Sequence, residues 1–467
     1  MTDCGFDRLR ACFQQRLFAG LPDHVKRLTW NGERIAAHQR DGLRSLLAHA
    51  IGRSPFHARR LAGVDPGAFE LADLPRLPIM TKGEMMAEFD DVLTDHRLSR
   101  RAVEEVIANT AEKPIALLGE YLCQASGGSS GQRGVFVLDC EAMVEFAGSI
   151  LRPTIARGGG PPLGGVTIAF VAAASAVHAT GIASQIMRGS PIQFVPAPAT
   201  LPIDEIVDRL ETIQPRALYG YPSMLARLAV ERRSGRLCIA PATIVSTSET
   251  LLAEQRSAIR EAFGVPLVDT FASSEGLVGV SEPNETVLTF ASDLCIVELV
   301  DERDRPVPLG VRSAKILVTN LYNRVQPLIR YALDDSFVRE PERCDRGHLR
   351  ATVEGRSDDI LCYGTTSIHP LAIRAVMVKT PAVAEYQVRQ TARGIDVAVV
   401  ADGRLDPAWL GERLRVALAD AGLADPVIGV RAVPSLQRQP GTGKLRRFVP
   451  LGSCIGDREI GAGSTPE

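Results

Sequence analysis

Apolar residues recur at helical spacing through roughly the first quarter of the chain. In one run they stand three and four residues apart, at Leu43, Leu46, Leu47 and Ala50, which is the spacing of one face of an α-helix. Thr81 precedes a further run and is a suitable helix N-cap. The pattern predicts a helical leader over residues 1 to about 110, and nothing in it indicates chemistry.

The pattern then changes to short β-rich runs that alternate with amphipathic helices. Strands are predicted at 166–171, 217–219, 242–245 and 266–268, and helices at 203–213, 224–232 and 254–263. Alternation at this spacing predicts a parallel sheet with helical crossovers. Ligands bind to such sheets in the loops beyond the carboxyl ends of the strands.

Two further regions complete the predicted fold. Residues 288–340 have the pattern of antiparallel strands, and after Gly355 a new pattern of helices (370–379, 407–421) and strands (395–400, 427–433) begins. The fold class is therefore α/β: a large N-terminal domain with parallel α/β sheets and a small antiparallel subdomain, plus a small mobile α+β C-terminal lid domain. The predicted boundaries are an N-terminal domain at 1–355, a hinge at 356–359 and the lid at 360–467.

Composition and charge narrow the class of protein. The 467 residues carry 53 Lys and Arg against 55 Asp and Glu, a net charge of −2, so no overall field favours nucleic acid or an anionic membrane. No run approaches the roughly 20 apolar residues that span a bilayer, and the N-terminal residues lack a secretory pattern. Nine scattered cysteines without a C-x-x-C pair favour a reducing compartment. We expect a cytoplasmic protein with neither a membrane nor a nucleic acid as partner.

A glycine- and serine-rich loop is the first of five segments that indicate chemistry. It contains Ser126, Gly127, Gly128, Ser129, Ser130 and Gly131. Glycines let backbone N–H groups approach a ligand, and such a loop can hold phosphates. It is not a Walker loop, because no Gly-Lys-Ser/Thr follows. A flexible surface linker is the alternative, and it is favoured when the loop is considered by itself.

The second segment follows the predicted strand 266–268. It places an aromatic ring, two hydroxyls and a carboxylate in one strand-end loop, at Asp269, Thr270, Phe271, Ala272, Ser273, Ser274, Glu275 and Gly276. The ring can stack on a base and the carboxylate can bind Mg²⁺. A loop of capping residues is the alternative.

The remaining three segments are short and charged. Residues 328–335 end an apolar strand in Asp334 and Asp335, which suit ribose hydroxyls or a solvated turn. Residues 355–359 form a polar hinge or an ordinary linker. Residues 441–447 place Lys444 on a glycine-flanked loop, from which it can reach a substrate, or they form a solvated basic turn. In order, the five segments describe one nucleotide site with a moving lid.

These five segments, in this order from 126 to 447, resemble the motifs of the adenylate-forming superfamily, which includes acyl- and aryl-CoA ligases, peptide-synthetase adenylation domains and luciferases. The N-terminal part resembles the phenylacetate–CoA ligase and coenzyme F390 synthetase branch. The matching stretches are 46–50, 54–56, 74–78, 81–82, 320–324 and 327–331.

The chain departs from the family pattern at several positions. Arg133 and Gly134 stand where the phosphate loop usually continues with proline and lysine, Phe271-Ala272 stands for Tyr-Gly, and Asp334 replaces a glycine. None of these changes removes an indispensable group. Some relatives carry a paired-cysteine motif before the hinge, but residues 343–348 offer one cysteine and one histidine, so no zinc is expected.

The resemblance implies roles for individual residues. Lys444, Glu275 and Ser129 would be catalytic, with Glu275 binding Mg²⁺. ATP and AMP would contact Ser126, Gly128, Ser129, Ser130, Gly131, Ser248, Glu249, Thr250, Asp269, Phe271, Ala272, Ser273, Ser274, Asp335, Arg356 and Lys444. Phe271 and residues 248–250 would flank adenine, and Asp335 and Arg356 would hold ribose.

The resemblance also implies a second step in a different arrangement of the lid. Asp358 would be the pivot, and Gly364 and Thr365 would line a pantetheine tunnel. The acyl pocket would contain His178, Tyr219, Gly220 and Tyr221. Taken by itself, His178 is more readily explained as a core histidine with satisfied hydrogen bonds than as a substrate contact, and core packing is also an explanation for Tyr219 and Tyr221.

The implied function is ATP-dependent activation of a carboxylic acid, aromatic or a small organic acid, to an acyl-adenylate with release of pyrophosphate. The acyl group then passes to a thiol, with coenzyme A as the expected acceptor. A stand-alone adenylation enzyme that supplies a carrier-protein pantetheine or an amine is the alternative, and an inactive binding homologue is a minor one. The oligomeric state stays open, with a homodimer as one option.

Overall fold

The computed structural model describes residues 4–110, 113–126, 133–158, 165–173, 175–343, 345–356, 359–364, 366–380, 382–401, 403–439 and 442–451. Contacts divide the chain into two units. The large unit runs to Gly355 and includes Arg438–Lys444, and the small unit comprises Arg356–Gln437 and the chain from Leu445 onward.

A leader of helices opens the large unit. Its helices are α1 (Cys4–Arg27), α2 (Gly32–Arg53), α3 (Pro55–Arg60), α4 (Lys82–Ala87), α5 (Phe89–Val92) and α6 (Arg100–Asn109), with a 3₁₀ turn at Leu71–Arg76. Thr81 caps α4 as predicted, because its hydroxyl accepts from the Glu84 N–H while the Glu84 carboxylate accepts from the Thr81 N–H at 2.8 Å. This capping box satisfies two N–H groups that the first helical turn leaves without partners.

A hairpin and a long helix follow the leader. Strands β1 (Leu122–Ala125) and β2 (Val135–Leu138) pair antiparallel, and α7 (Cys140–Arg157) begins at the N-cap Asp139. The hairpin is buried on both faces, so the loop between its strands is carried by a rigid base.

The main sheet has nine strands. They are β3 (Val166–Val171), β4 (Ile192–Pro196), β5 (Ala217–Gly220), β6 (Thr243–Thr247), β7 (Leu267–Ala272), β8 (Val278–Ser281), β9 (Leu288–Phe290), β13 (Asp335–Glu340) and β14 (Arg350–Arg356). Their order is β13-β14-β9-β8-β7-β6-β5-β3-β4. Strands β3 to β7 are parallel, whereas β8 and β9 pair antiparallel beside β7.

The parallel strands are linked by helices, as the alternating pattern predicted. These are α8 (Ala179–Ile186), α9 (Ile203–Ile213), α10 (Pro222–Arg233) and α11 (Ala253–Phe263). One apolar core lies between these helices, α1, α7 and the parallel strands. Since all five strands run the same way, their carboxyl ends meet at one edge of the sheet.

A small antiparallel sheet completes the large unit. It contains β10 (Cys295–Val300), β11 (Lys315–Asn320) and β12 (Tyr331–Leu333). A second apolar core joins this sheet to the β1–β2 hairpin and to helices of the leader. The predicted fold class is confirmed.

The small unit has a core of its own. Its elements are β15 (Leu361–Tyr363), β16 (Thr366–Ile368), α12 (Pro370–Val378), β17 (Val383–Thr391), β18 (Gly394–Ala401), α13 (Pro407–Asp420), β19 (Val427–Ala432) and β20 (Phe448–Val449). Strands β19-β18-β17-β20 form its sheet. Cys362 is disulfide-bonded, whereas Cys12, Cys123, Cys140, Cys238 and Cys295 are free thiols.

The division into units departs from the predicted one at two places: Arg356, predicted to begin the hinge, groups with the small unit, and one predicted lid segment groups with the large unit. Arg438–Lys444 was assigned to the lid by sequence, but it groups with the large unit. The reason is local contact: Arg438 donates to the Ser223 hydroxyl at 2.8 Å, and a Cβ on Gly443 would lie 2.9 Å from the Ala199 backbone. None of the helices in the described ranges is long and apolar enough to cross a membrane.

Candidate active site

The glycine- and serine-rich loop has a closed neck. The Ser126 N–H donates to the Gly134 carbonyl oxygen at 2.8 Å, and the Gly134 N–H donates to the Ser126 hydroxyl at 2.8 Å. The predicted phosphate-binding residues Gly128, Ser129, Ser130 and Gly131 lie outside the described residues. The two bonds hold the ends of the loop together at the end of β1.

Arg133 already has a partner at this neck. Its guanidinium donates to the Glu104 carboxylate at 2.6 Å, and both side chains are at least one-third exposed. From its place in the sequence, Arg133 is expected to keep a cation near the phosphates. In the structure that charge is shared with a carboxylate of α6, which weakens it as a phosphate contact.

The second predicted segment is only partly a loop. Strand β7 continues to Ala272, so Asp269, Thr270 and Phe271 are strand residues, and only the following residues turn into β8. We call residues 273–277 the Glu275 turn. It closes on itself, because the Ser273 N–H donates to the Leu277 carbonyl oxygen at 3.0 Å.

Three side chains from elsewhere in the large unit hold the Glu275 turn. Gln124 donates to the Ser274 carbonyl oxygen at 3.1 Å, Asn320 to that of Glu275 at 2.9 Å, and Tyr322 to that of Gly276 at 2.8 Å. Gly276 has a φ of +100°, and a Cβ there would overlap the Asn320 amide and the Tyr322 hydroxyl. Glycine is therefore required both for backbone conformation and for space.

Glu275 is a buried residue whose carboxylate has no partner among the described residues. The residue is 6% exposed, and within the described ranges its carboxylate makes no hydrogen bond or ion pair. The Tyr331 hydroxyl, also buried, likewise has no hydrogen-bond partner in this part of the chain. Burial raises the pKa of Tyr331, and the negative charges of Glu275 and Asp334 raise it further. A buried unpaired carboxylate is costly, so this position suits a cation supplied by a ligand.

Asp269 is hydrogen-bonded to the two neighbouring strands. Its carboxylate accepts from the Ser246 hydroxyl, and its N–H donates to the Ser281 hydroxyl at 2.9 Å. Burial raises the pKa of Asp269. The hydrogen bond from Ser246 acts in the opposite direction but is the smaller effect. The residue links β6, β7 and β8, so the structure gives it a role within the sheet in addition to the nucleotide contact predicted for it.

Phe271, the predicted adenine-stacking residue, belongs to an aromatic cluster. Its ring centroid lies 5.9 Å from that of Phe290 and 5.4 Å from that of Phe337, in edge-to-face contact. The side chain is half-buried. Ala272, Ser273 and Ser274 are half-buried beside it, so this strand end is open to a ligand on one side.

The end of β6 carries the predicted segment 248–250. Ser248 has a φ of +68°, an uncommon value for a residue with a side chain. The Glu249 carboxylate accepts from the Ser223 N–H at 3.2 Å, at the beginning of α10. Such a carboxylate satisfies an N–H that the first helical turn leaves without a partner. Ser248, Glu249 and Thr250 are all half-buried.

Lys444 lies at the same edge of the sheet. Its Nζ is 5.8 Å from the centroid of the Tyr221 ring, and Tyr221 follows β5 directly. His178, which follows β3, lies with its Nδ1 3.2 Å from the Ala125 carbonyl oxygen. Burial lowers the pKa of His178, and the positive charges of Lys444 and Arg133 lower it further. Lys444, His178 and the end of β1 are therefore neighbours.

The predicted acyl-pocket residues fall into two groups. His178 is half-buried, whereas Tyr219 packs in the core, with its ring stacked on Phe170 at 5.6 Å. The Tyr221 hydroxyl accepts from the Ala173 N–H at 2.9 Å, and the side chain is fully buried. Gly220 leaves little room, because a Cβ there would lie 3.0 Å from the Val171 carbonyl oxygen. Core packing therefore accounts for both tyrosines.

The chain is similar in sequence to two known proteins and in fold to a solved ligase structure. No protein-family model matches the chain. It is 24% identical over 405 residues to phenylacetate–coenzyme A ligase of Thermus thermophilus, a match that covers 81% of each chain. It is 28% identical over 138 residues to protein CapK of Staphylococcus aureus, or 29% of each. A crystal structure of 2-hydroxyisobutyryl-CoA ligase in the postadenylation state, in complex with R3-HIB-AMP, superposes with a TM-score of 0.70 at 19% identity, covering 93% of this chain and 92% of that one.

The chain is similar to a phenylacetate–coenzyme A ligase over most of its length, and it shares the fold of a 2-hydroxyisobutyryl-CoA ligase. The predicted resemblance is confirmed, including its phenylacetate–CoA ligase-like branch. The structural likeness establishes the fold, and the roles of single residues continue to rest on the geometry described above.

The remaining predicted site residues lie after residue 330 in the sequence. Asp335 begins β13 and Arg356 ends β14. Gly364 follows β15 with a φ of +60°, whereas Asp358 and Thr365 lie outside the described residues. Of the residues considered for zinc, Cys344 also lies outside them, and His348 is a buried core residue whose Nε2 is 2.8 Å from the Arg27 carbonyl oxygen.

Several residues of the site carry no motif that points to it. Gln124 and Ser223 position their partners through single hydrogen bonds over 150 and 26 residues of sequence. Asn320 is the exception. It is a polar amide at the end of the apolar strand β11, and a polar residue at that position can indicate a functional role. Hydrogen bonds between residues so far apart in sequence cannot be predicted from local sequence patterns.

Proposed function

We propose that this protein uses ATP to convert a carboxylic acid into an acyl-adenylate, releases pyrophosphate, and passes the acyl group to the thiol of coenzyme A. One arrangement carries this proposal: the loop neck, the Glu275 turn and Lys444 meet at one edge of the sheet. Gln124 and Ala125 of β1 connect them, since Gln124 bonds to the turn and Ala125 to His178.

Adenylate formation places negative charge on phosphate oxygens, so donors and cations that are already in position lower its barrier. Lys444 is half-buried at this edge, where a positive charge is screened less than at the surface. We assign to Lys444 the neutralisation of the α-phosphate. Ser126, Gly128, Ser129, Ser130 and Gly131 would hold the phosphates through N–H and hydroxyl donors.

Glu275 fits the magnesium ion that this chemistry requires. Mg²⁺ prefers oxygen ligands and is commonly bound by one or two carboxylates together with substrate phosphates. The buried Glu275 carboxylate offers one such ligand without a competing partner in the described residues. When bound, Mg²⁺ would neutralise charge on the phosphates. The Gly276 backbone and the amides of Gln124 and Asn320 keep this carboxylate in place.

The other nucleotide contacts are proposals from the family pattern. Phe271 and residues 248–250 would flank adenine, with Asp269, Ala272, Ser273 and Ser274 supporting that strand end. Asp335 and Arg356 would hold ribose.

The second step uses the small unit in the family pattern. We assign the pivot to Asp358 and the pantetheine path to Gly364 and Thr365. Gly364 supports this, because its left-handed backbone and missing side chain suit close passage of a ligand. ATP and coenzyme A favour a cytoplasmic location.

The acid is proposed to be aromatic or a small organic acid. His178 is the one member of the predicted acyl pocket that core packing does not account for, and its lowered pKa keeps the imidazole neutral at pH 7. A neutral ring provides a contact for an apolar or aromatic group without repelling Lys444.

ATP–pyrophosphate exchange across a panel of carboxylic acids tests the proposal. We expect exchange with one structural class of acid, followed by thioester formation when coenzyme A is added. Acceptor assays with amines and with a carrier-protein pantetheine run in parallel. Absence of exchange with every acid, in protein whose melting temperature shows it to be folded, would contradict the proposal. Exchange without thioester formation would keep its first step and refute its second.

A further inference from the structure

A cavity of about 320 Å³ lies away from the residues assigned to the nucleotide. Its walls come from α7, β8, β9 and the segment that leads into β14. The charged side chains that line it are Arg152, Arg157, Arg343, Arg346, Arg350 and Glu282. Five guanidinium groups against one carboxylate is an unusual lining in a chain whose net charge is −2.

Carboxylates in and beside the lining only partly offset the charges of Arg157, Arg343 and Arg346. Arg157 pairs with Glu282 at 3.3 Å, and Arg343 with Glu285 at 3.4 Å. Arg346 is 3.9 Å from Asp345, at the limit of an ion pair. These pairs involve side chains that are about 30–75% exposed, so they are weak and exchangeable.

Arg350 differs from the other lining arginines. It donates to the Pro341 carbonyl oxygen at 2.8 Å, and it has no carboxylate partner among the described residues. Arg350 is half-buried at the beginning of β14, where its charge is less screened than one at the surface. It provides the cavity with a cation that has no carboxylate partner in the described ranges.

Arg152 forms the rigid wall of the cavity. It is 2% exposed, and its two terminal nitrogens each donate to Asp293 at 2.7 Å. Its Nε is buried and has no hydrogen-bond partner within the described ranges. A buried N–H without an acceptor is rare and costly. An acceptor oxygen in the cavity would supply what Arg152 lacks.

We propose that this cavity binds a compact dianion presented as a phosphate group, either free or as a small phosphate ester. Guanidinium groups match phosphate oxygens with paired N–H donors, and the volume is at the lower end of the range for small-molecule sites. The partly buried hydroxyl of Thr289 adds a neutral donor. The inference is independent of the proposed function, because no residue assigned to the nucleotide lines this cavity.

Isothermal titration with inorganic phosphate tests the site in the full-length protein. The test variant is the double substitution Arg346→Gln and Arg350→Gln. The control is Arg101→Gln with Arg303→Gln, which removes the same charge from exposed arginines outside the cavity. We expect saturable binding by the wild type and the control, and binding weaker by roughly tenfold or more in the test variant.

Equal affinity in the two double variants would overturn the proposal, as would absence of saturable binding by the wild type. If the test variant does not fold, the single substitution Arg346→Gln is titrated in its place. Arg346 is exposed, so its substitution leaves the core unchanged. Adenosine 3′,5′-bisphosphate distinguishes the two sources of phosphate. Tighter binding of this ester than of phosphate, with the same loss in the test variant, identifies an ester site. The reverse order identifies a site for free phosphate.

Discussion

Two turns of the large unit each bury a carboxylate, and they treat it in opposite ways. In the Glu275 turn, Glu275 is 6% exposed, and its carboxylate has no partner among the described residues. Residues 291–295, the Asp293 turn, bury Asp293 completely and surround it with cations: Arg152 at 2.7 Å and Arg27 at 3.2 Å.

The two turns are otherwise held in the same manner. A glutamine amide donates to a backbone carbonyl of each, Gln124 to Ser274 at 3.1 Å and Gln39 to Ser292 at 2.7 Å. The difference lies in where the compensating charge comes from. Asp293 receives it from the chain itself and stabilises the fold, whereas Glu275 is left for a cation that arrives with a ligand.

The protonation of Asp293 follows from its surroundings. Burial acts to raise the pKa of Asp293, but the charges of Arg152, His348 and Arg27 and the Arg152 hydrogen bonds hold it well below the usual range. The two arginines therefore favour the ionised form of this carboxylate, as a structural ion pair requires.

The largest expected effect is on stability, from Asp293→Ala. Removing the carboxylate leaves Arg152 buried and uncompensated, so we expect a loss of about 3–5 kcal/mol in the free energy of unfolding. Urea denaturation followed by circular dichroism measures it. The control is Glu412→Ala, whose exposed ion pair with Arg415 should matter little. A loss no larger than that of the control would show that Asp293 is not the structural member of the comparison.

Glu275→Gln should produce the opposite pattern. We expect pyrophosphate exchange to fall by roughly 10²–10³-fold, the size of a lost electrostatic contact in a transition state, while the melting temperature stays close to that of the wild type. The glutamine keeps the shape of the side chain and removes the charge that a cation requires. Unchanged exchange at limiting Mg²⁺ would remove Glu275 from the site.

Lys444→Ala tests the cation at the same edge of the sheet. We expect adenylate formation to fall by about 10²-fold, with much of the second step retained. The variant is given pre-made acyl-adenylate and coenzyme A, and thioester formation is compared with that of the wild type. Arg446→Ala, which alters a neighbouring cation of the small unit, is the matched control. Wild-type adenylate formation by Lys444→Ala would refute the assignment.

The acid stability of the protein should depend on His24, which lies beside the arginines of the Asp293 turn. Burial lowers the pKa of His24 to about 3, with the charges of Arg27 and Arg152 contributing. The unfolded chain takes up this proton near pH 6.5, so the stability is complete above that pH and decreases as the pH falls. At pH 5 we expect a loss of roughly 2 kcal/mol relative to pH 7.

His24→Gln checks the source of this pH dependence. The variant cannot bind the proton, so its free energy of unfolding should decrease less between pH 7 and pH 5 than that of the wild type, whatever its stability at pH 7. Equal slopes for the two proteins would assign the acid sensitivity to other groups.

The smallest effects come from the two glutamines. Gln124→Ala removes one buried hydrogen bond, so we expect a loss of about 1 kcal/mol in stability and a higher Mg²⁺ requirement for exchange. Gln39→Ala should cost a similar amount of stability and leave the Mg²⁺ requirement unchanged. If both variants shift that requirement equally, the Glu275 turn has no special relation to the metal.

The helices and strands were largely predictable, because their signals are local. The helix at 203–213 was predicted with the bounds that the structure shows, and Thr81 caps α4 as expected. Period and capping depend on residues within a few positions of one another. The boundary of β7 was less predictable: the strand continues four residues beyond 268, because β8 pairs with Ala272 and its neighbours.

The amino-acid sequence by itself determined the fold class, the order of the five segments and the superfamily whose motifs they resemble. Only the tertiary structure decided which side chains are available for chemistry. Tyr219 and Tyr221 are in the core, Asp269 links three strands, and Lys444 groups with the large unit. The same holds for Glu275 and Asp293, two acids on short turns whose sequences do not tell them apart. The physical reason is that burial and charge pairing are set by residues far away along the chain, such as Arg152 for Asp293, whereas helical and strand patterns are set by neighbours.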